Sequence, residues 1–306
     1  MQKIVCIVGP TASGKTKLGI ELCKQFHGEV VSADSMQIYR GMDIGTAKPS
    51  MAEREGIVHH LFDVVAPNES YSVSRFVEDA SAAISDIAAR GKLRFVVGGS
   101  GLYIDALLRA GGFAKYDEAY RAELMKKSPE ELLEMLREVD PESAERLHIH
   151  DVKRICRALE IYHLSGKTIR EHNLETQQTP PRYDACMIGL TCKDRAVLYA
   201  RIERRIDEMI ENGLLDEIRS LQDAGVSKDA TAMQAIGYKE LFAALRGEES
   251  IEEAILQLKQ ATRRLAKRQL TWFRRNPKIE WFFLDRIEDF DAVLQSSSSF
   301  IKNCSV

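Results

Sequence analysis

Gly9-Pro10-Thr11-Ala12-Ser13-Gly14-Lys15-Thr16 lies between an apolar stretch, residues 3–8, and a segment with Leu18, Leu22 and Phe26 at helical spacing. It fits the pattern G-x-x-x-x-G-K-[ST] in full, after a predicted strand and at the start of a predicted helix, which is the context the pattern requires. Glycine lets the backbone fold into a nest of N–H groups aimed at phosphate oxygens, and the helix N-terminus adds positive potential. Lys15 adds a mobile charge, and the Thr16 hydroxyl can ligate Mg²⁺. A pyrophosphate- or nucleotide-like group, ATP included, held with Mg²⁺ is the guest this stretch predicts.

Strand and helix signals alternate through the first hundred residues. Predicted strands at 29–33 and 93–97 flank a predicted helix at 74–90, whose Phe76, Val77, Ala80, Ile84 and Ile87 share one face. Such alternation implies a parallel, doubly wound sheet that binds ligands at the carboxyl ends of its strands. Strand signals vanish from about Phe113 to Pro181, where charged helical segments at 118–137 and 151–164 lead to Gln177-Gln178-Thr179-Pro180-Pro181, a linker signature. A core strand returns at 185–191, helices are expected at 195–212, 214–224, 236–245 and 251–275, a last strand at 281–284, and a loose tail at Ser296 to Ser299. The expected fold is α/β, a P-loop NTPase-like parallel sheet core (residues 1–112 and 185–306) with an all-helical insertion domain (residues 113–184).

Composition excludes several classes. No apolar run approaches the roughly 20 residues of a membrane span, and no targeting segment is evident, so a cytoplasmic protein is expected. The six cysteines are scattered without a C-x-x-C pair and read as small buried hydrophobes. Net charge is −3, yet Ala254 to Ile279 holds no acidic residue and eight Lys or Arg, a local polyanion signal on a mildly acidic chain. A solvated helix face is the plainer account of that run, and core packing the plainer account of Trp272 and Phe273 within it.

A P-loop ATPase normally has a second apolar strand ending in an acidic residue. Here the strand at 93–97 ends in Gly98-Gly99-Ser100-Gly101, and the carboxylate appears instead as Asp34, after the strand at 29–33. Asp34 can be a water-mediated metal ligand, a general base or a loop cap. His59-His60 lacks a nearby third metal ligand.

Ser32-Ala-Asp-Ser-Met-Gln-Ile-Tyr-Arg-Gly-Met-Asp-Ile-Gly-Thr-Ala-Lys-Pro49, together with the P-loop, closely resembles the tRNA dimethylallyltransferases, also called tRNA isopentenyltransferases. Matching blocks follow at 59–63, 98–103, 157–160, 234–240 and 263–274, so the resemblance spans nearly the whole chain. It implies transfer of a dimethylallyl group from dimethylallyl diphosphate to N6 of adenosine 37, in a tRNA with adenines at 36 to 38 of its anticodon loop, by a monomeric, Mg²⁺-dependent enzyme. Gly9, Pro10, Thr11, Ala12, Ser13, Gly14, Lys15 and Thr16, with Arg201 or Arg205, would hold the diphosphate, and Mg²⁺ would sit near Thr16. Asp34 matches the family's general base, and Thr16 and Ser100 complete the catalytic set, Ser100 standing where the family often has Thr. Residues matching tRNA contacts are Asp34, Ser35, Met36, Gln37 and Ser100, then Arg121, Lys153, Arg154, Ile155, Cys156 and Arg157, then Gln234, Ala235, Ile236, Gly237, Tyr238 and Lys239. Gln37 is expected on the adenine edge.

Three rivals stand beside this reading. An adenylate isopentenyltransferase acting on free nucleotide needs neither the insert nor the basic C-terminal helix. A P-loop kinase would move phosphate from ATP, and an RNA-binding protein switched by nucleotide would transfer nothing.

Overall fold

The computed structural model describes residues 1–109 and 117–304. The chain divides into two compact units, Met1–Leu107 with Tyr183–Val306, and Leu108–Arg182. The expected start of the insert at Phe113 lies outside the described residues.

The first unit is built on one six-stranded parallel sheet of order β3-β2-β4-β1-β5-β6. Its strands are β1 (Gln2–Val8), β2 (Gly28–Ser32), β3 (His59–His60), β4 (Leu93–Gly98), β5 (Tyr183–Thr191) and β6 (Glu280–Phe283). Ile4 to Val8 are wholly buried in the central β1, the continuous apolar run that a parallel strand covered on both faces requires. The helices before the insert are α1 (Lys15–Phe26), α2 (Val73–Ala89) and α3 (Gly101–Leu108). Leu18, Leu22 and Cys23 of α1 join Val5, Ile7, Phe95, Ile188 and Leu190 of the sheet in one hydrophobic cluster. Register does the rest. Val8 stands opposite Gly98 and Gly189, and Ser32 opposite Val97. The loops after β1, β2 and β4 therefore leave the sheet side by side.

The second unit is helical: α4 (Glu118–Leu124), α5 (Pro129–Val139), α6 (Pro141–Arg146), α7 (Val152–Ser165) and α8 (Ile169–Gln178). Ser128 with Glu131, and Thr168 with Glu171, form capping boxes that start α5 and α8. Leu132, Leu136, Ile155 and Leu159 form its core. Its two ends are tied by the Arg182 N–H donating to Leu108 O at 2.8 Å.

The chain then continues through α9 (Arg195–Glu211), α10 (Leu214–Asp223), α11 (Tyr238–Leu245), α12 (Ile251–Phe273) and α13 (Phe290–Asn303). Two expectations are corrected. Ser296 to Ser299 is no loose tail but the middle of α13, whose Phe290, Val293 and Ile301 pack on the sheet cluster and bury Ser297 and Ser298 beneath them. The helix expected from Ile236 starts at Tyr238, because Gly237 has φ 100° and a short 3₁₀ turn, Ala232–Gln234, precedes it. The six cysteines are free, five of them buried. Among the described residues no helix is long and apolar enough to cross a membrane.

Candidate active site

The P-loop bends sharply where β1 ends. Gly9 has φ 147°, and a Cβ there would lie 2.1 Å from Leu190 O, so only glycine fits. Lys15 Nζ donates to Pro10 O at 2.6 Å. Burial pushes the Lys15 ammonium down to about 7, the Arg205 guanidinium adds to the effect, and Asp34 opposes it.

α12 lies directly on the glycine loop after β4. A Cβ on Gly99 would meet Gln269 at 2.4 Å, and one on Gly101 would meet Trp272 at 2.3 Å. These helix residues are three apart and share a face. Gln269 Oε1 accepts from the Thr11 N–H at 2.9 Å and its Nε2 donates to Gly99 O at 3.0 Å, tying the P-loop to the glycine loop. Gln269 falls within a matching block of sequence, yet its bridging role has no signal there. Phe273 is core, whereas Trp272 is 39% exposed, donates Nε1 to Asp105 at 3.1 Å and lines a cavity. Packing of Trp272 in the core is thus corrected.

Asp34 follows β2. Its Oδ1 accepts from the Met36 N–H at 2.9 Å, so the carboxylate caps its own loop with one oxygen. Ser100 Oγ accepts from the Ser35 N–H at 3.1 Å and joins this loop to the glycine loop. Gln37 is committed to the protein: Oε1 accepts from Ser32 Oγ at 3.0 Å, and Nε2 donates to Thr46 O and Ala47 O at 3.2 and 3.3 Å. Both amide protons are spent, leaving at most one acceptor lone pair for an adenine edge. The donor half of the expected Gln37–adenine contact is thereby corrected.

Three cavities meet at these loops. The first, about 590 Å³, has Asp34, Met36, Leu102, Leu265 and Trp272 in its walls. A second, about 70 Å³, is walled by Lys15, Thr16, Asp34 and Gln37. The third, about 960 Å³, carries Lys15, Lys17, Lys48, Arg54, Arg201, Arg204 and Arg205 against Asp43, Glu53, Glu55, Asp63 and Glu208, a cationic excess. Asp34 belongs to the first two, Lys15 and Thr16 to the last two, and Arg205 to all three. An apolar chamber and a cationic chamber thus share a junction made of one carboxylate, one ammonium and one guanidinium.

The structure separates the two α9 arginines. Arg205 faces the junction, where burial pushes it down while Asp34, Glu208 and Glu53 oppose that shift. Of the three cavities Arg201 lines only the third, with Nη2 donating to Asp285 O at 3.1 Å. Gln234, Ala235, Ile236 and Gly237 line the first cavity. Tyr238 does not offer a free side chain: it is fully buried, its hydroxyl on Glu217. Lys239 is exposed.

In the helical unit, Lys153 and Arg154 are exposed. Ile155 and Cys156 are buried in the unit's core, at 0% and 1% exposure, so their side chains have nothing to offer a ligand. Arg157 and Arg121 both pair with the buried Glu160, at 3.2 and 3.5 Å. The basic run of α12 is also less bare than its sequence suggests: Lys259 pairs with Asp207 and Arg263 with Glu203 of α9, both at 2.5 Å. His59 and His60 serve the sheet edge, His60 Nε2 lying 2.7 Å from the buried Glu29.

Residues 37–276 match the IPP transferase family model, and residues 2–63 match that of the isopentenyl transferases. A tRNA dimethylallyltransferase of Geobacillus thermodenitrificans is 51% identical, over 98% of this chain and 96% of that protein. Its counterpart from Caldanaerobacter subterraneus is 46% identical, over 98% and 97%. Among solved structures, the tRNA isopentenylpyrophosphate transferase of Bacillus halodurans is 44% identical with a TM-score of 0.75, covering 99% of this chain and 97% of that one. A eukaryotic dimethylallyltransferase acting on tRNA is 31% identical with a TM-score of 0.85, covering 99% and 80%. A family model over well more than half of the residues, and relatives near 50% identity along almost the whole length, agree with the P-loop fold: the chain belongs to the IPP transferase family.

Proposed function

We propose that this chain transfers the dimethylallyl group of dimethylallyl diphosphate to N6 of adenosine 37 in tRNAs with adenines at 36 to 38 of the anticodon loop. The observation that carries this reading is the junction at Asp34, where an apolar chamber meets a cationic one. Diphosphate lies on the P-loop against Lys15 and Arg205, and the adenine, turned out of its loop, reaches the junction from the other chamber. Extrusion from a single-stranded loop costs a few kcal/mol at most. N6 attacks C1 of the dimethylallyl group, the C1–O bond breaks, diphosphate leaves, and the N6 proton passes to the free oxygen of Asp34.

The residues present suit Mg²⁺. Thr16 is a hard oxygen donor in the wall of the small cavity beside Lys15, and Mg²⁺ keeps several waters and takes substrate phosphate oxygens beside few protein ligands. Held there by Thr16, the ion would neutralise part of the diphosphate charge. Lys15 and Arg205 stabilise that charge as it grows, being already aimed at the junction before reaction.

One assay tests the reading. The protein is given dimethylallyl diphosphate, ATP, free AMP and unmodified tRNA. Dimethylallylated tRNA and unmodified AMP are expected; label moved from ATP, or prenylated AMP, overturns it. The exposed Lys153 and Arg154 contact tRNA phosphates. Replacing both by alanine lowers the slope of log affinity against log salt by about 1 to 2, as loss of one or two phosphate contacts requires. Filter binding across a salt series checks this, and an unchanged slope removes the insert from the footprint.

A further inference from the structure

Glu217 is in the first turn of α10, where an acidic residue ordinarily does no more than favour the helix dipole. Its carboxylate does something else. Oε2 accepts from the N–H groups of Asp43 and Ile44, both at 2.8 Å, and Oε1 accepts from the N–H of Gly45 at 3.1 Å. Oε1 also accepts from the Tyr238 hydroxyl at 2.5 Å. Burial and the Glu217 carboxylate push Tyr238 up, so it stays a donor. Four donors from two distant segments thus saturate one side chain.

Both segments are walls of the apolar chamber. Gly45, Thr46 and Ala47 line it from one side and Gln234 to Gly237, which immediately precede Tyr238, from another. Contact between them is close: a Cβ on Gly45 would lie 2.6 Å from the Tyr238 ring. The carbonyls of Thr46 and Ala47 in turn hold the Gln37 amide. Lys48 pins the same stretch from below, Nζ donating to Tyr39 O at 2.9 Å and to Asp43 and Asp63 at 2.6 Å.

We infer that Glu217 is a positioning residue for the acceptor base: it joins the 43–47 segment to the 234–238 segment and so sets the width of the chamber and the place of Gln37 beside Asp34. Glu217 touches no substrate, and the inference rests on the function proposed above. Glu217 makes no hydrogen bond to the P-loop or Arg205, and although Asp43, Ile44 and Ala47 also line the third cavity, the diphosphate side is expected to feel the clamp much less than the acceptor side.

Glu217→Gln is the test. The amide oxygen can keep Asp43 and Ile44, but its NH₂ then faces the Gly45 N–H, which loses its acceptor. A displacement near 1 Å at a reacting group costs on the order of 100-fold. The expected result is a 10- to 100-fold loss in kcat/KM for tRNA, with the Kd for inorganic diphosphate changed by no more than about twofold. Tyr238→Phe, which removes one donor and keeps the ring, loses less. Full activity toward tRNA in Glu217→Gln, or an equal loss of diphosphate affinity, overturns the inference. Should Glu217→Gln not fold, the same split in Tyr238→Phe decides, and its absence overturns the inference. If the wild-type protein prenylates no tRNA, the proposed function falls, and amide exchange judges the clamp separately. Faster exchange at residues 43–47 in Glu217→Gln, with the P-loop unchanged, upholds it; unaltered exchange at 43–47 overturns it.

Discussion

Asp34→Asn slows dimethylallyl transfer by about 10²- to 10⁴-fold, the range for loss of a general base, and leaves tRNA affinity within about threefold. Asparagine is the informative replacement because Asp34 holds two offices. Oδ1 caps the loop through the Met36 N–H, and an amide oxygen does that equally well. What the amide cannot do is accept a proton from N6. The adenine amine has its lone pair delocalised into the ring, so it gains nucleophilicity only as that proton departs. Asp34→Ala removes both offices and abolishes transfer, with tRNA still bound. Single-turnover transfer beside filter binding separates the cases. If Asp34 were only a loop cap, Asn would transfer at the wild-type rate, and that result removes the base assignment.

The central sheet was legible because its signals are local: an apolar β1 and a glycine pattern on the strand–helix boundary. The same locality failed at the C-terminus. Ser296 to Ser299 resembles a tail by composition, while the buried face of α13 is carried by Phe290, Val293 and Ile301 on either side of the serines. Within the site, residues that line the cavities follow from type and spacing, as with Lys15, Thr16 and Asp34. Residues that hold other residues do not. Gln269 bridges two loops 258 and 170 positions away in sequence, and Glu217 captures backbone N–H groups more than 170 positions back. Neither partnership has a periodic or compositional trace, since backbone amides are identical everywhere along the chain. Burial is equally hidden from a motif: Ile155 and Cys156 match tRNA contacts as neighbours of Lys153 and Arg154, but helical spacing turns them into the core. Arg201 and Arg205 are four residues apart on one helix, and nothing in that spacing shows that the Asp285 carbonyl engages Arg201.

Lys15→Met lowers kcat/KM for dimethylallyl diphosphate by about 10²- to 10³-fold, the cost of removing one preorganised partner of developing charge. The pH dependence gives a sharper expectation. With its ammonium pushed down to about 7 by burial and by Arg205, Lys15 in the free protein is largely neutral at pH 8. A bound diphosphate favours the charged form and raises the same group. Above pH 7 binding therefore takes up a proton, and the Lys15 contribution to affinity weakens by up to tenfold per pH unit until the raised value is reached. Below pH 7 the ammonium is already formed and this contribution is flat. The substrate's own ionisation runs the opposite way, adding negative charge as pH rises, so the two are separated by substitution. Calorimetry at pH 8 in two buffers of different ionisation enthalpy reads the proton directly. Wild type is expected to show a buffer-dependent binding enthalpy, and Lys15→Arg, charged at every working pH, to take up less. Equal uptake by wild type and Lys15→Arg would assign the proton to another group and leave Lys15 an ordinary charged lysine.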